Sequence, residues 1–183
     1  MDARELVKTK YLCTVFAIIT MTSSSSMATD IGHQRTFGLG QPVTEQQLRA
    51  WDIDIAATGV GLPAGSGNVG QGKLTFQAKC ASCHGLEGQG GLANKLIGGG
   101  NLNTAGAVKT IGSYWPYATT IFDYIRRAMP YGAPQSLSND EVYGLTAFLL
   151  NANQIVGIDA IIDASSLPLV QMPNRSGFIR VER

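Results

Sequence analysis

Apolar side chains recur every three or four residues in three stretches of the chain, the spacing that places them on one face of an α-helix. The first stretch covers residues 71–80, where two apolar pairs lie four positions apart: Leu74 with Ala78, and Phe76 with Cys80. We therefore predict a helix that runs directly into the cysteines of the next segment.

The second stretch opens at Trp115-Pro116-Tyr117 and ends at Met129-Pro130, because proline restricts the backbone of the residue before it. Its predicted buried face consists of Ile121, Tyr124, Ile125 and Ala128. This helix leaves Met129 at a junction between helix and loop.

The third stretch begins at Ser138, and Glu141 three residues later completes a capping box. Its buried face follows at helical spacings and consists of Val142, Leu145, Phe148 and Leu149. Together the three stretches predict one helical domain over residues 71–152.

Two flanking segments lack such a period and are predicted to be irregular arms: residues 29–70, which end in a linker, and residues 153–183. Within the first arm, residues 52–55 alternate polar and apolar as a short β-strand does, and Trp51 is a candidate anchor on another surface. Seven glycines among residues 85–100 predict a loop that can lie close against a flat group.

Residues 1–28 have the layout of a secretory signal peptide. Three basic side chains within residues 1–10 precede an apolar run over residues 12–21. The segment Ser26-Met27-Ala28 then supplies small residues at the two positions that a signal peptidase recognises. The run has about half of the roughly 20 residues that a membrane-spanning helix needs. We predict cleavage after Ala28 and export to the periplasm, and an uncleaved membrane anchor is the less favoured alternative.

The charge of the chain is nearly balanced, with 14 basic and 13 acidic residues and a net charge of +1. Without a basic excess there is no electrostatic reason to expect nucleic acid or an anionic membrane surface as a partner. All 22 glycines lie beyond residue 28, so the exported part is rich in loops, and a buried cofactor would supply apolar bulk to its core.

The run Cys80-Ala81-Ser82-Cys83-His84 predicts covalent attachment of haem c, in which two thiols add to the vinyl groups and the histidine binds the iron. Cys13 leaves with the signal, so Cys80 and Cys83 cannot build a disulfide framework. Structural zinc would need four ligands, and His33 in the arm is the one further histidine. A thioredoxin-like redox pair would need alternating strands and helices, which the pattern does not provide.

The second axial position of the iron separates two classes of function, because a filled position suits electron transfer and an open one binds gases or peroxides. Met129, Met172 and His33 are the candidates beyond the signal. We favour Met129 at its helix end over a core role for that side chain, and expect Met172 to be a packing contact and His33 to be solvated. The candidates for contact with the haem propionates are Arg126, Arg127, Tyr114, Trp115 and Tyr117. The alternative for each is a solvated or core position, which we favour for Arg127.

Three segments resemble the cytochrome c subunits of bacterial sulfur oxidation: Trp51-Asp52-Ile53-Asp54, the run Gly112–Pro130 and the segment Met172–Phe178. The resemblance is to the cytochrome partners of molybdenum sulfite dehydrogenases and of the Sox sulfane dehydrogenase. Some Sox members carry two haem modules, whereas this chain has one motif and is closer in length to the single-haem form. It implies an all-α, class I cytochrome c fold of three to five helices around one covalent haem, with His84 and Met129 as iron ligands.

The resemblance further implies an electron carrier that is not itself the catalytic subunit, placed between a molybdenum sulfite or sulfane dehydrogenase and a downstream cytochrome c or terminal oxidase. A haem sensor or peroxidase with an open sixth position is the alternative, and a soluble cytochrome without a fixed partner is a third. The arms are expected either to wrap an enzyme partner or to fold back on the cytochrome. No proline lies between His84 and Pro116, unlike in most class I cytochromes, so a carbonyl of the Gly88–Leu96 loop must accept the ring proton of His84.

Overall fold

The computed structural model describes residues 39–179 and residue 181, so the predicted signal peptide and His33 lie outside the described residues. The chain divides into two units, Met1–Pro42 and Val43–Arg183, and every described helix and strand belongs to the second. In chain order these elements are α1 (Glu45–Arg49), β1 (Ser66–Asn68), α2 (Val69–Lys79), α3 (Ala81–His84), α4 (Ile111–Tyr114), α5 (Ala118–Ala128), α6 (Asn139–Ala152), β2 (Ile161–Asp163) and a 3₁₀ turn (Leu167–Leu169).

The three predicted helices are α2, α5 and α6. Helix α2 begins two residues earlier than predicted, because the Asn68 side chain caps it and Gln71 completes a capping box. Helix α5 ends with Met129 as its C-cap, as expected. The predicted capping box of Ser138 and Glu141 is present at the start of α6.

The centre of the fold is the crossing of α2 and α6, where two glycines let the backbones touch. A Cβ atom on Gly72 would lie 1.7 Å from the carbonyl oxygen of Gly144, so α2 has no room for a side chain at this position. One turn further along, the rings of Phe76 and Phe148 pack at 5.0 Å between centroids. This crossing fixes the direction in which α2 delivers the chain to Cys80.

The predicted strand over residues 52–55 is wrong, since that segment forms no helix and pairs with no strand. The alternation of polar and apolar residues instead reflects alternating exposure: Asp52 and Asp54 are exposed, whereas Ile55 is buried in the core. The strands that do form were not predicted: β1 and β2 are antiparallel, with Ser66 opposite Asp163 and Asn68 opposite Ile161. Three-residue strands leave too short a pattern to recognise.

Much of both arms folds back on the helical domain, which was one of the two roles expected for them. Ile55 from the first arm and Ile162, Leu167 and Met172 from the second are buried in the core. In contrast, α1 has no buried residue, and Trp51 beside it is 86% exposed. Among the described residues, no helix has the length and apolar content needed to cross a bilayer.

Candidate haem site

One cavity of about 750 Å³ brings together the four residues predicted to hold haem: Cys80, Cys83, His84 and Met129. This volume falls within the range of cofactor sites, roughly 300–1,000 Å³. Helices α2, α5 and α6 supply six of the apolar lining residues: Phe76, Ile121, Tyr124, Ile125, Leu145 and Leu149. Other parts of the chain add Leu92, Leu96, Ile111, Trp115 and Leu137. No Asp, Glu or Arg lies among the lining residues.

The cysteine motif forms one helical turn directly after α2. Cys80 is the C-cap of α2, where its N–H donates to the carbonyl of Phe76 at 2.8 Å. The N–H groups of Cys83 and His84 both donate back to the carbonyl of Cys80, at 3.1 and 3.0 Å. Burial raises the pKa of the Cys80 thiol to about 11, whereas Cys83 is exposed. The Cys80 sulfur thus sits in the apolar part of the cavity wall.

A backbone carbonyl fixes the orientation of the His84 ring. The Nδ1 atom of His84 lies 2.8 Å from the carbonyl oxygen of Asn94. Because a carbonyl can only accept, Nδ1 carries the proton and Nε2 keeps its lone pair for a metal. The expectation that a carbonyl of the Gly88–Leu96 loop accepts a hydrogen bond from the His84 ring is confirmed, and the acceptor is Asn94.

The loop that carries Asn94 is held by backbone hydrogen bonds to the cysteine turn. The N–H of Ala93 donates to the carbonyl of Cys83 at 2.8 Å, and the N–H of Gly90 donates to that of His84 at 2.7 Å. A Cβ atom on Gly91 would lie 2.9 Å from the Cys83 carbonyl oxygen, so glycine permits the close approach. These contacts make the histidine side of the site a local, self-supporting unit.

The two methionines predicted as alternatives have different surroundings. Met129 caps the end of α5, with its N–H 3.0 Å from the carbonyl of Ile125, and lines the same cavity as His84. Met172 is 3% exposed, packs in the core and does not line the cavity. The structure therefore brings Met129, and not Met172, to the site.

Arg126 and Arg127, the two arginines named as candidates for contact with the haem propionates, do not line the cavity. The Arg126 guanidinium donates to the carbonyl of Ile53 at 3.3 Å, and Arg127 pairs with Asp123, which raises the pKa of Arg127 above its usual value. Both side chains are engaged by neighbouring protein groups on the other side of α5.

Of the aromatic candidates for cofactor contact, Trp115 lines the cavity and packs edge-to-face on Tyr124 at 5.6 Å. Tyr114 instead packs against Phe178, and Tyr117 lies under the guanidinium of Arg175. Of the three aromatic candidates, Trp115 alone lines the cavity.

Three lysines along the cavity wall were not predicted as site residues: Lys79, Lys95 and Lys109. Lys79 pairs with Glu141 of α6, and the ammonium of Lys109 lies 4.7 Å from the centre of the Tyr114 ring. Haem carries two propionate groups, so a wall with cations and no carboxylate suits its charge. The sequence offered a weak signal, since three of the four lysines within residues 39–179 lie here.

The donors around the cavity fit haem c better than a metal ion alone. Two free thiols, one imidazole with a fixed tautomer and one thioether are soft or borderline donors, and the wall between them is apolar. Within the described residues no group of three His, Cys, Asp or Glu side chains is placed to hold an ion. The protein groups present are those that a covalently attached, axially ligated haem requires.

Comparison with known proteins agrees with this chemistry. The family model described as cytochrome C oxidase, cbb3-type, subunit III matches residues 67–149. The crystal structure of the sulfane dehydrogenase SoxCD from Paracoccus pantotrophus matches with a TM-score of 0.75 and 42% sequence identity, covering 80% of this chain and 73% of that chain. The chain belongs to the c-type cytochromes. No curated protein sequence gives a significant match.

As a c-type cytochrome, the protein is an electron-transfer protein with haem c as its cofactor. The predicted all-α, class I cytochrome c fold is confirmed. The described residues form six helices, one more than the upper end of the three to five expected. The resemblance to the cytochrome subunits of bacterial sulfur oxidation, which three sequence segments indicated, is confirmed by the SoxCD match.

Proposed function

We propose that this cytochrome carries single electrons through one haem c, bound covalently by Cys80 and Cys83 and ligated by His84 and Met129. The observation that carries the proposal is that His84 and Met129 line one apolar cavity. The Nδ1–H group of His84 donates a hydrogen bond to the Asn94 carbonyl, which leaves Nε2 free for the iron. The haem supplies a one-electron couple, in which the iron alternates between its ferric and ferrous states.

The protein groups around the site favour electron transfer over ligand activation. Ligation by the Met129 thioether together with the His84 imidazole would raise the reduction potential, because the sulfur would stabilise the ferrous state. The apolar wall would raise the potential further. The hydrogen bond from His84 Nδ1 to the Asn94 carbonyl keeps the imidazole in one orientation during turnover. A filled sixth position also keeps oxygen and peroxide away from the metal.

We infer that the electron donor is a molybdenum-containing sulfite or sulfane dehydrogenase subunit, which holds the catalytic centre. The acceptor is a downstream cytochrome c or terminal oxidase, and the complex works in the periplasm after removal of the signal peptide. The 42% identity to the SoxCD structure supports this class of donor. The first arm supports a docked partner, since Val43, Leu48 and Trp51 project apolar side chains into solvent.

Three measurements on the purified holoprotein test the haem assignment. Acid-acetone extraction should leave the haem on the protein, and haem quantified per chain should give a ratio of one. The ferric protein should show the near-infrared charge-transfer band of methionine-ligated iron. Extractable haem would refute covalent attachment, and a high-spin ferric spectrum would favour the haem sensor or peroxidase.

A truncation tests the donor assignment. A chain that begins at residue 53 after its signal lacks α1 and Trp51 but keeps Ile55, so its fold and haem spectrum should be unchanged. Its affinity for the molybdenum subunit should fall at least about tenfold, equivalent to about 1.4 kcal/mol. The matched control is Leu169→Ser, an exposed apolar residue of the other arm. Equal affinity of the truncated and complete chains would refute docking through this segment.

A further inference from the structure

Residues 53–57 of the first arm, which we call the strap, lie along helix α5 and are fastened to it by three hydrogen bonds. The N–H of Ile55 donates to Oδ1 of Asp123 at 3.0 Å. Arg126 donates to the carbonyl of Ile53 at 3.3 Å, and the Thr119 hydroxyl donates to the carbonyl of Ala57 at 3.2 Å. All three α5 side chains thus bind the backbone of the strap.

Asp123 is the centre of this attachment. It is 7% exposed and is the sole acidic residue among the buried side chains within residues 39–179. Its carboxylate accepts from the strap at Ile55 and from the guanidinium of Arg127, one turn later on α5. A buried carboxylate with both partners in place fixes the strap against one position of the helix.

Helix α5 in turn sets the position of Met129, which continues it by a hydrogen bond to Ile125. The chain after Met129 offers little support, because residues 131–136 are exposed. The hydrogen bonds described for that loop, from Ala133 to Pro130 and from Ser136 to Ala133, join its own residues. The position of the Met129 thioether therefore depends on helix α5, which precedes it, and not on the loop that follows.

We propose that Asp123 is a positioning residue for the sixth iron ligand: through the strap it locks α5 so that Met129 stays directed into the haem cavity. The inference rests on the proposed role of Met129 as that ligand. Without the carboxylate, α5 loses the central one of its three hydrogen bonds to the strap and keeps those from Arg126 and Thr119. With α5 held less firmly, Met129 leaves the iron more readily for an added ligand.

Imidazole binding to the full-length ferric holoprotein tests the proposal, because an external ligand competes with Met129 for the iron. Asp123→Ala should bind imidazole at least about tenfold more tightly than wild type, equivalent to about 1.4 kcal/mol. Asp123→Asn keeps an oxygen for the Ile55 N–H but loses the charge, so it should show a smaller increase of about threefold.

The matched control is Asp140→Ala. Asp140 accepts the N–H of Ser66 at 2.8 Å, so it also fastens the first arm to a helix, but to α6. If Asp123 acts on Met129, the Asp140 variant binds imidazole as wild type does even where it unfolds at lower denaturant. If Asp123 is only a structural contact, the variants at both positions bind imidazole alike, and the proposal is wrong.

Two further outcomes are informative. Should Asp123→Ala yield no holoprotein, Asp123→Asn decides the question, and wild-type imidazole affinity in that variant would overturn the proposal. The near-infrared band of the wild type separates this inference from the proposed function. If the wild type lacks the methionine band, both the assignment of Met129 as ligand and the inference about Asp123 are wrong. If the band is normal but the Asp123 variants bind imidazole as tightly as wild type, only the inference is wrong.

Discussion

Substituting alanine for Gly72 tests whether the α2–α6 crossing holds the cytochrome together. The new Cβ atom would lie 1.7 Å from the carbonyl oxygen and 2.3 Å from the carbonyl carbon of Gly144. Both atoms belong to the backbone, so no change of side-chain rotamer relieves the overlap. Since carbon and oxygen in contact need roughly 3 Å or more, the helices must separate by more than about 1 Å.

Gly72→Ala should lower the free energy of unfolding by more than an extra methyl group in a packed core usually does. Extra methyl groups in a packed core cost about 1–3 kcal/mol, and separating the helices also weakens the contact between Phe76 and Phe148. We therefore expect Gly72→Ala to lower the free energy of unfolding by at least about 3 kcal/mol. Gly144→Ala should cost less, because its Cβ would meet Gly72 backbone atoms at 3.1 and 3.3 Å.

Gly70→Ala is the matched control, in the same helix but exposed, with its nearest neighbour 3.5 Å from the added Cβ. It should stabilise the protein by about 0.5 kcal/mol through helix propensity. Denaturant unfolding of the holoproteins, followed by circular dichroism and haem absorbance, measures all three variants. If Gly72→Ala unfolds within about 1 kcal/mol of wild type, the crossing is not the tight contact described here.

Three further substitutions have defined expectations. Met129→Ala should open the iron to imidazole or carbon monoxide and lower the reduction potential, as electrochemistry would show. Met172→Ala should leave the visible spectrum unchanged but cost about 2–5 kcal/mol in denaturant unfolding, because it empties a core position. Glu141→Gln should lower the free energy of unfolding by about 0.5–1 kcal/mol at pH 7. The hydrogen bond from Lys79 lowers the pKa of Glu141 below its usual 4.5, so this difference should shrink as the pH falls below about 4.5.

The long helices were predictable because each combines a buried face with a signal at its end. For α6 the Ser138 capping box fixed the start to the residue, and for α5 the proline after Met129 fixed the end. Helices α1 and α4 have five and four residues, which is too short for a helical period. Their positions depend on local caps and on contacts distant in sequence.

The site was predictable where chemistry imposes a spacing, as in the run from Cys80 to His84. The acceptor for the His84 ring could be narrowed to a loop but not to a residue, because a backbone carbonyl leaves no mark in the sequence. The sequence also carries an indication against Arg127 as a propionate contact: Asp123 lies four residues before it, the spacing of a helical ion pair. That pairing directs Arg127 away from the cavity.

The two sides of the site are stabilised over different distances along the chain. His84 is oriented by a carbonyl ten residues away, within a turn and loop that bond to each other. Met129 depends on a helix whose anchor, the bond from Ile55 to Asp123, joins groups 68 residues apart. Closing a long loop costs more entropy than closing a short one, so the methionine side is the weaker half of the site. A perturbation of the first arm should therefore reach the iron through Met129 before it disturbs His84.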